Sequence, residues 1–151
     1  MNAAAVQTLS STSEAETLRL GGELAAQLYG GELVFLSGDL GAGKTTLVRG
    51  ILRGLGFEGR VKSPSYGLLE SYPLQSFTLH HLDLYRLTQP EELFDLGLEE
   101  LLRPDAVVLI EWPERAEAAL PNADWRIRIE GVGESRQFEW TRDASFTNVS
   151  K

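Results

Sequence analysis

Eight consecutive residues, Gly38-Asp39-Leu40-Gly41-Ala42-Gly43-Lys44-Thr45, match the pattern G-x-x-x-x-G-K-[ST] in full. Glycines at those places let successive backbone N–H groups curl round a phosphate, and a helix opening behind them turns its positive end to the anion. A lysine then reaches the β and γ oxygens, and a hydroxyl joins the shell of a magnesium ion. Thr45 supplies that hydroxyl and Thr46 adds a second. The alternative is an ordinary glycine turn, and the surroundings argue against it. A short apolar run, Leu33-Val34-Phe35-Leu36, precedes the motif, and Leu47, Val48, Ile51, Leu52 and Leu55 follow at helical spacing.

Phosphate chemistry of this kind also needs a carboxylate beside the loop, to serve the metal shell or to direct the attacking water, and it belongs at the C-terminal end of a neighbouring strand. Glu111 ends the apolar run 106–110, and Asp83 ends Phe77-Thr78-Leu79-His80-His81-Leu82. The two-residue period of a strand puts His81 on the face of Asp83 and His80 on the other. His81 reads as a packed or hydrogen-bonded residue before it reads as a base. Ser63-Pro64-Ser65-Tyr66 stands where a loop sensing the γ-phosphate is expected, with a strand-entry turn as the alternative. Trp112 either covers a nucleotide base or packs. Arg126 with Arg128, and Arg49 with Arg53, read as solvated basic pairs, the second also as a possible partner surface.

The elements that must position these residues follow from periodicity. Ser13-Glu14-Ala15-Glu16 has the spacing of a capping box and opens a helix that Gly30-Gly31 is expected to end. Strands are expected over 32–37, 66–72, 77–82 and 106–110. A second capping box, Thr88-Gln89-Pro90-Glu91, opens a short helix closed by Gly97, and a helical stretch follows Pro113. Residues 125–130 and 137–141 alternate about Gly131-Val132-Gly133-Glu134 as a hairpin. The class is α/β: a P-loop NTPase-like sandwich with a mostly parallel central sheet, flanking helices and a C-terminal antiparallel hairpin. Residues 1–151 are expected to form one domain, with loose tails at 1–12 and 143–151.

Composition narrows the classes further. A 42% hydrophobic share with 24% charged residues excludes disorder as the main description. The absence of cysteine excludes disulfide frameworks, thiolate metal sites and Cys nucleophiles, and suits a reducing cytoplasm. No run is long enough for a membrane span, and no secretory signal is expected. Of the net charge of −8, nearly all sits in residues 89–117, with nine acidic groups against two basic ones. Strong unaided binding of nucleic acid is therefore not expected.

Taken in order, Gly38-Asp39-Leu40-Gly41-Ala42-Gly43-Lys44-Thr45-Thr46, Val61-Lys62-Ser63-Pro64-Ser65-Tyr66, His81-Leu82-Asp83-Leu84-Tyr85-Arg86, Pro90-Glu91-Glu92-Leu93 and Ile110-Glu111-Trp112-Pro113 resemble the TsaE (YjeE) family. The resemblance implies a small ATPase of bacterial tRNA threonylcarbamoyladenosine synthesis, using ATP and Mg²⁺ in support of TsaB-like and TsaD-like partners. Contact with tRNA would come only indirectly, through that complex. It implies that Lys44 and Thr45 bind phosphate and Mg²⁺, that Asp83 and Glu111 serve the metal and the hydrolytic water, and that Trp112 lies near the nucleotide. The family usually has Thr where this chain has Ser65, which keeps the hydroxyl. Two other classes share the loop: a small-molecule kinase, which needs an acceptor pocket and an Arg-bearing lid, and a nucleotide-dependent docking switch without hydrolysis.

Overall fold

The structure is a computed structural model and describes residues 5–39, 43–61, 68–132 and 135–142. Its strands are β1 (Ala5–Ser11), β2 (Leu33–Ser37), β3 (Leu69–Pro73), β4 (Thr78–Asp83), β5 (Ala106–Glu111), β6 (Trp125–Val132) and β7 (Ser135–Arg142). Its helices are α1 (Glu14–Ala25), α2 (Lys44–Gly54), α3 (Glu92–Leu96) and α4 (Leu98–Leu101), with 3-10 turns at Pro113–Arg115 and Glu117–Ala119. All seven strands form one mixed sheet in the order β1-β7-β6-β2-β5-β4-β3. The middle four are parallel, and β3, β7 and β1 are added antiparallel at the edges. The α/β class, the parallel centre and the C-terminal hairpin expected from the sequence are all present.

The unbroken apolar runs of β2 and β5 arise because both faces of the sheet centre are covered. Val34, Leu36, Val107 and Leu109 share a core with Leu24 of α1 and Leu47, Val48, Ile51 and Leu52 of α2. Leu33, Phe35, Val108 and Ile110 point the other way, onto Leu93 of α3, Leu98 of α4 and Ala116 between the two 3-10 turns. Helices α1 and α2 meet almost backbone to backbone. A Cβ on Gly21 would stand 2.7 Å from the Ile51 nitrogen and the Leu47 oxygen, so the close crossing depends on glycine there.

Several local expectations change. Residues 5–11, expected to lie in a loose tail, instead pair with β7 along their whole length. The apolar signal there is faint: Val6 faces water and Leu9 is the partly buried side chain that packs on the core, so backbone pairing holds the strand. Residues 1–4 and the other expected tail, 143–151, lie outside the described residues. Helix α1 ends at Ala25, earlier than the glycine pair, and the strand expected from Tyr66 is described from Leu69. Ser13 caps α1 as expected, accepting from the Glu16 N–H at 3.1 Å, but Glu16 reaches back to the Thr12 N–H at 2.6 Å. In the second box Glu92 rather than Glu91 reaches back, accepting from the N–H groups of Thr88 and Gln89.

Candidate functional site

Three parallel strands end level with one another. Their register sets Leu36 beside Glu111 and Glu111 beside Asp83. Gly38 follows β2, and Gly43, at φ 105°, turns the chain into α2 in a left-handed conformation that favours glycine. Lys44 is the first residue of that helix and is 6% exposed. Its Nζ donates to the Gly38 carbonyl and sits 4.1 Å from the centre of the Trp112 ring. Burial pushes its pKa down, and the charges of Glu111, Asp83, Glu114 and Asp39 oppose that shift. Thr45 is exposed and Thr46 half-buried on the first turn of α2. Leu40, Gly41 and Ala42 lie outside the described residues, as do Ser63, Pro64, Ser65 and Tyr66.

His81, Asp83 and Glu111 share a sheet face with Leu79 and Leu109, whose side chains join the core under α1 and α2. The sheet therefore turns all three toward the side where α2 begins. His81 and Glu111 are 1% and 3% exposed, and His81 Nε2 lies 2.5 Å from Glu111 Oε2. Asp83 accepts the Tyr85 N–H at 3.0 Å. Burial raises the Asp83 pKa, the Glu111 charge adds to the rise, and the Tyr85 N–H, His81 and Lys44 work against it. His80, on the opposite face, pairs its Nδ1 with Ser71 Oγ at 2.7 Å.

Trp112 takes φ 57° and ψ 49°, a conformation that side chains other than glycine seldom adopt, and it follows directly on Glu111. The bend lays its ring over Lys44 and 5.0 Å from the Tyr85 ring, which Arg115 approaches at 5.3 Å. Two clefts flank the motif. One, of about 220 Å³, is lined by Ser37, Gly38, Asp39, Trp112, Glu114 and Arg128 among others. The second, of about 160 Å³, is lined by Ser13, Glu14, Thr17, Gly43, Thr46 and Arg136.

Arg136 was not singled out by its sequence. Its nearness to Gly43 depends on the β6–β7 register, and no short motif encodes that. Arg128 borders the first cleft, while Arg126 lies 3.9 Å from Glu117 and stacks on Phe35. Among the described residues, no group of three His, Cys, Asp or Glu side chains gathers as a metal cage. Two neighbouring carboxylates and the hydroxyl of Thr45 are hard oxygen donors, which fits Mg²⁺ held jointly with phosphate oxygens rather than by protein alone.

A sequence model of the family described as threonylcarbamoyl adenosine biosynthesis protein TsaE matches residues 11–138. The chain belongs to the TsaE family. The tRNA threonylcarbamoyladenosine biosynthesis protein TsaE of Haemophilus influenzae is 47% identical over 107 residues, which is 71% of this chain and 68% of that protein. TsaE of Bacillus subtilis is 36% identical over 134 residues, 89% of this chain and 80% of that one. A crystal structure of YdiB from Bacillus subtilis superposes with a TM-score of 0.81 at 27% identity, covering 99% of this chain and 93% of that one. The matched span contains each TsaE-like motif and the residues gathered at the ends of β2, β4 and β5. Among the described residues of this TsaE-family chain, no helix is long and apolar enough to cross a membrane.

Proposed function

We propose that this TsaE-family protein is a P-loop ATPase that binds and hydrolyses Mg-ATP in support of a TsaB–TsaD type complex making N6-threonylcarbamoyladenosine beside the tRNA anticodon. One arrangement carries the reading. Lys44 is buried at the first residue of α2, directly behind Gly43, and stands within electrostatic reach of two carboxylates that end neighbouring parallel strands. A desolvated ammonium at a helix N-terminus suits a polyphosphate and little else on this scaffold. Lys44 would leave the Gly38 carbonyl for the β and γ oxygens, and the loop N–H groups and Thr46 would hold the α and β phosphates. Thr45, Asp83 and Glu111 would hold the metal. When bound, Mg²⁺ supplies charge neutralisation at the phosphate oxygens. Glu111 or Asp83 would accept the hydrogen bond that aims water at the γ-phosphorus, and Trp112 would shield Lys44 from solvent.

The test is ATP turnover by the full chain, alone and with TsaB-like and TsaD-like partners and tRNA. The expected result is weak basal turnover that rises with the partners, together with little tRNA binding by the chain alone, in keeping with its −8 charge. Equal turnover with and without the partners sinks the coupling. Phosphorylation of a small acceptor in place of phosphate release replaces the ATPase reading with a kinase.

A further inference from the structure

Position 81 is flanked on its own face by Leu79 and Asp83, and its register partner on β5 is Leu109. An aliphatic side chain would fill such a place with no polar group to satisfy. The imidazole instead buries its Nδ1 with no hydrogen-bond partner among the described residues. A strand residue with this flaw is explained by what its other nitrogen does. Glu111 lies two residues beyond Leu109, diagonal to His81 on the same face, and His81 Nε2 is its hydrogen-bond partner among the described residues. A bare Nδ1 is less costly to bury than an unpaired N–H, so the ring hydrogen belongs on Nε2 and points at Glu111 Oε2.

We propose that His81 is a positioning residue for Glu111, fixing that carboxylate through Oε2 and leaving Oε1 as the oxygen that acts in nucleotide hydrolysis. The proposal rests on the ATPase reading above. A glutamate has three side-chain torsions to order, and a misplacement of about 1 Å at a reacting centre lowers rates by about a hundredfold. The buried imidazole, carried on a strand paired on both sides, removes that freedom before substrate arrives. Asp83 is tied differently, to a backbone N–H of its own turn at Tyr85.

The experiment compares His81→Leu, which fills the space without a donor, with His81→Gln, whose amide N–H reaches the same region. Both are made in the full chain, and turnover is measured with the partner complex. His81→Leu is expected to lower kcat by about ten- to a hundredfold with KM within about twofold, and His81→Gln to stay within about threefold of the parent. On a Glu111→Gln background, His81→Leu should bring no further fall, since the two side chains act as one unit. A second readout needs no turnover. The factor by which Mg²⁺ tightens binding of mant-ADP should shrink by about tenfold in the Leu variant and be kept in the Gln variant. If the Leu variant is poorly folded by thermal melting, His81→Asn, too short to reach Glu111, takes its place. A Gln variant that falls as far as Leu, or a Leu variant with parental kcat and Mg²⁺ response, overturns the proposal. Absence of hydrolysis in the parent complex refutes the ATPase reading alone, and the mant-ADP comparison still decides the role of His81.

Discussion

Two buried glutamates stand at opposite ends of the parallel strands, and the protein treats them in opposite ways. Glu32, 1% exposed, precedes β2. Its Oε1 accepts from the Tyr29 N–H at 2.8 Å and Trp125 Nε1 at 3.2 Å, and its Oε2 pairs with Arg142 at 2.8 Å. It thereby ties the start of β2 to the first residue of β6 and the last of β7. Glu111, 3% exposed, ends β5 and has His81 as its hydrogen-bond partner among the described residues, beside a buried lysine and a second carboxylate. A carboxylate whose oxygens are all engaged is a structural tie. One buried with an oxygen to spare, among charges that are not neutralised one to one, is set up to meet something from outside.

Exchange of function for stability should separate the two ends. The largest loss is expected for Lys44→Ala, because no other described cation begins a helix at the motif: phosphate release should fall by about a thousandfold or more and mant-ATP binding should weaken. Full activity at parental stability would remove the phosphate-loop assignment. Glu111→Ala should lower kcat by about a hundredfold while leaving nucleotide affinity within a few fold. If it hydrolyses ATP normally in the complex, Glu111 belongs with Glu32 as a structural group. Glu32→Ala should do the reverse, costing about 3 kcal/mol in urea unfolding because Arg142 and the Trp125 N–H lose their shared acceptor, while kcat per folded molecule changes less than twofold. A Glu32 variant of parental stability would break the contrast from the other side.

The two ends also differ in how far they can be read from residue order. Gly38, Gly43, Lys44 and Thr45 lie in one contiguous motif, and Asp83 and Glu111 each end an expected strand, so strand ends and motif spacing were enough to nominate them. The fold centre was legible for the same reason: runs apolar on both faces have to be interior parallel strands. Register was not legible. That His81 leans diagonally on Glu111, or that Arg136 comes against Gly43, depends on which residues stand opposite each other across strands, and neither periodicity nor propensity states that. The Glu32 tie was missed likewise, since its partners are about a hundred residues away. Strand β1 escaped because an edge strand with one core-facing Leu9 carries almost no hydrophobic pattern. Ser13 caps its helix as the first box expects, but in the second Thr88 donates to Glu92, and the helix opens behind Glu91 with no side-chain cap.

The smallest expected effect is the most specific to the working end, and its sign can be derived. Burial raises the Asp83 pKa above its ordinary 3.8. Between that value and the raised one, the folded chain holds a proton on Asp83 that the unfolded chain has released, so stability must fall as pH rises through the window and the penalty is complete above it. Asp83→Asn removes the penalty and keeps an oxygen to accept the Tyr85 N–H. The nucleotide-free variant should therefore melt higher than the parent at pH 7. Asp83 is only partly buried, so the gain should be small, about 2–4 °C in a chain of this size. The difference should narrow as pH drops toward 3.8 and vanish below it, where Asp83 is protonated in both states. Thermal melts of the two proteins in parallel at each pH cancel the other acids, including Glu32, whose burial raises its pKa in the same direction. A variant that melts lower at neutral pH would mean that the Asp83 charge supports the fold as the Glu32 tie does. A variant that melts higher while ATP turnover collapses would locate in one residue the stability that the working end gives up for function.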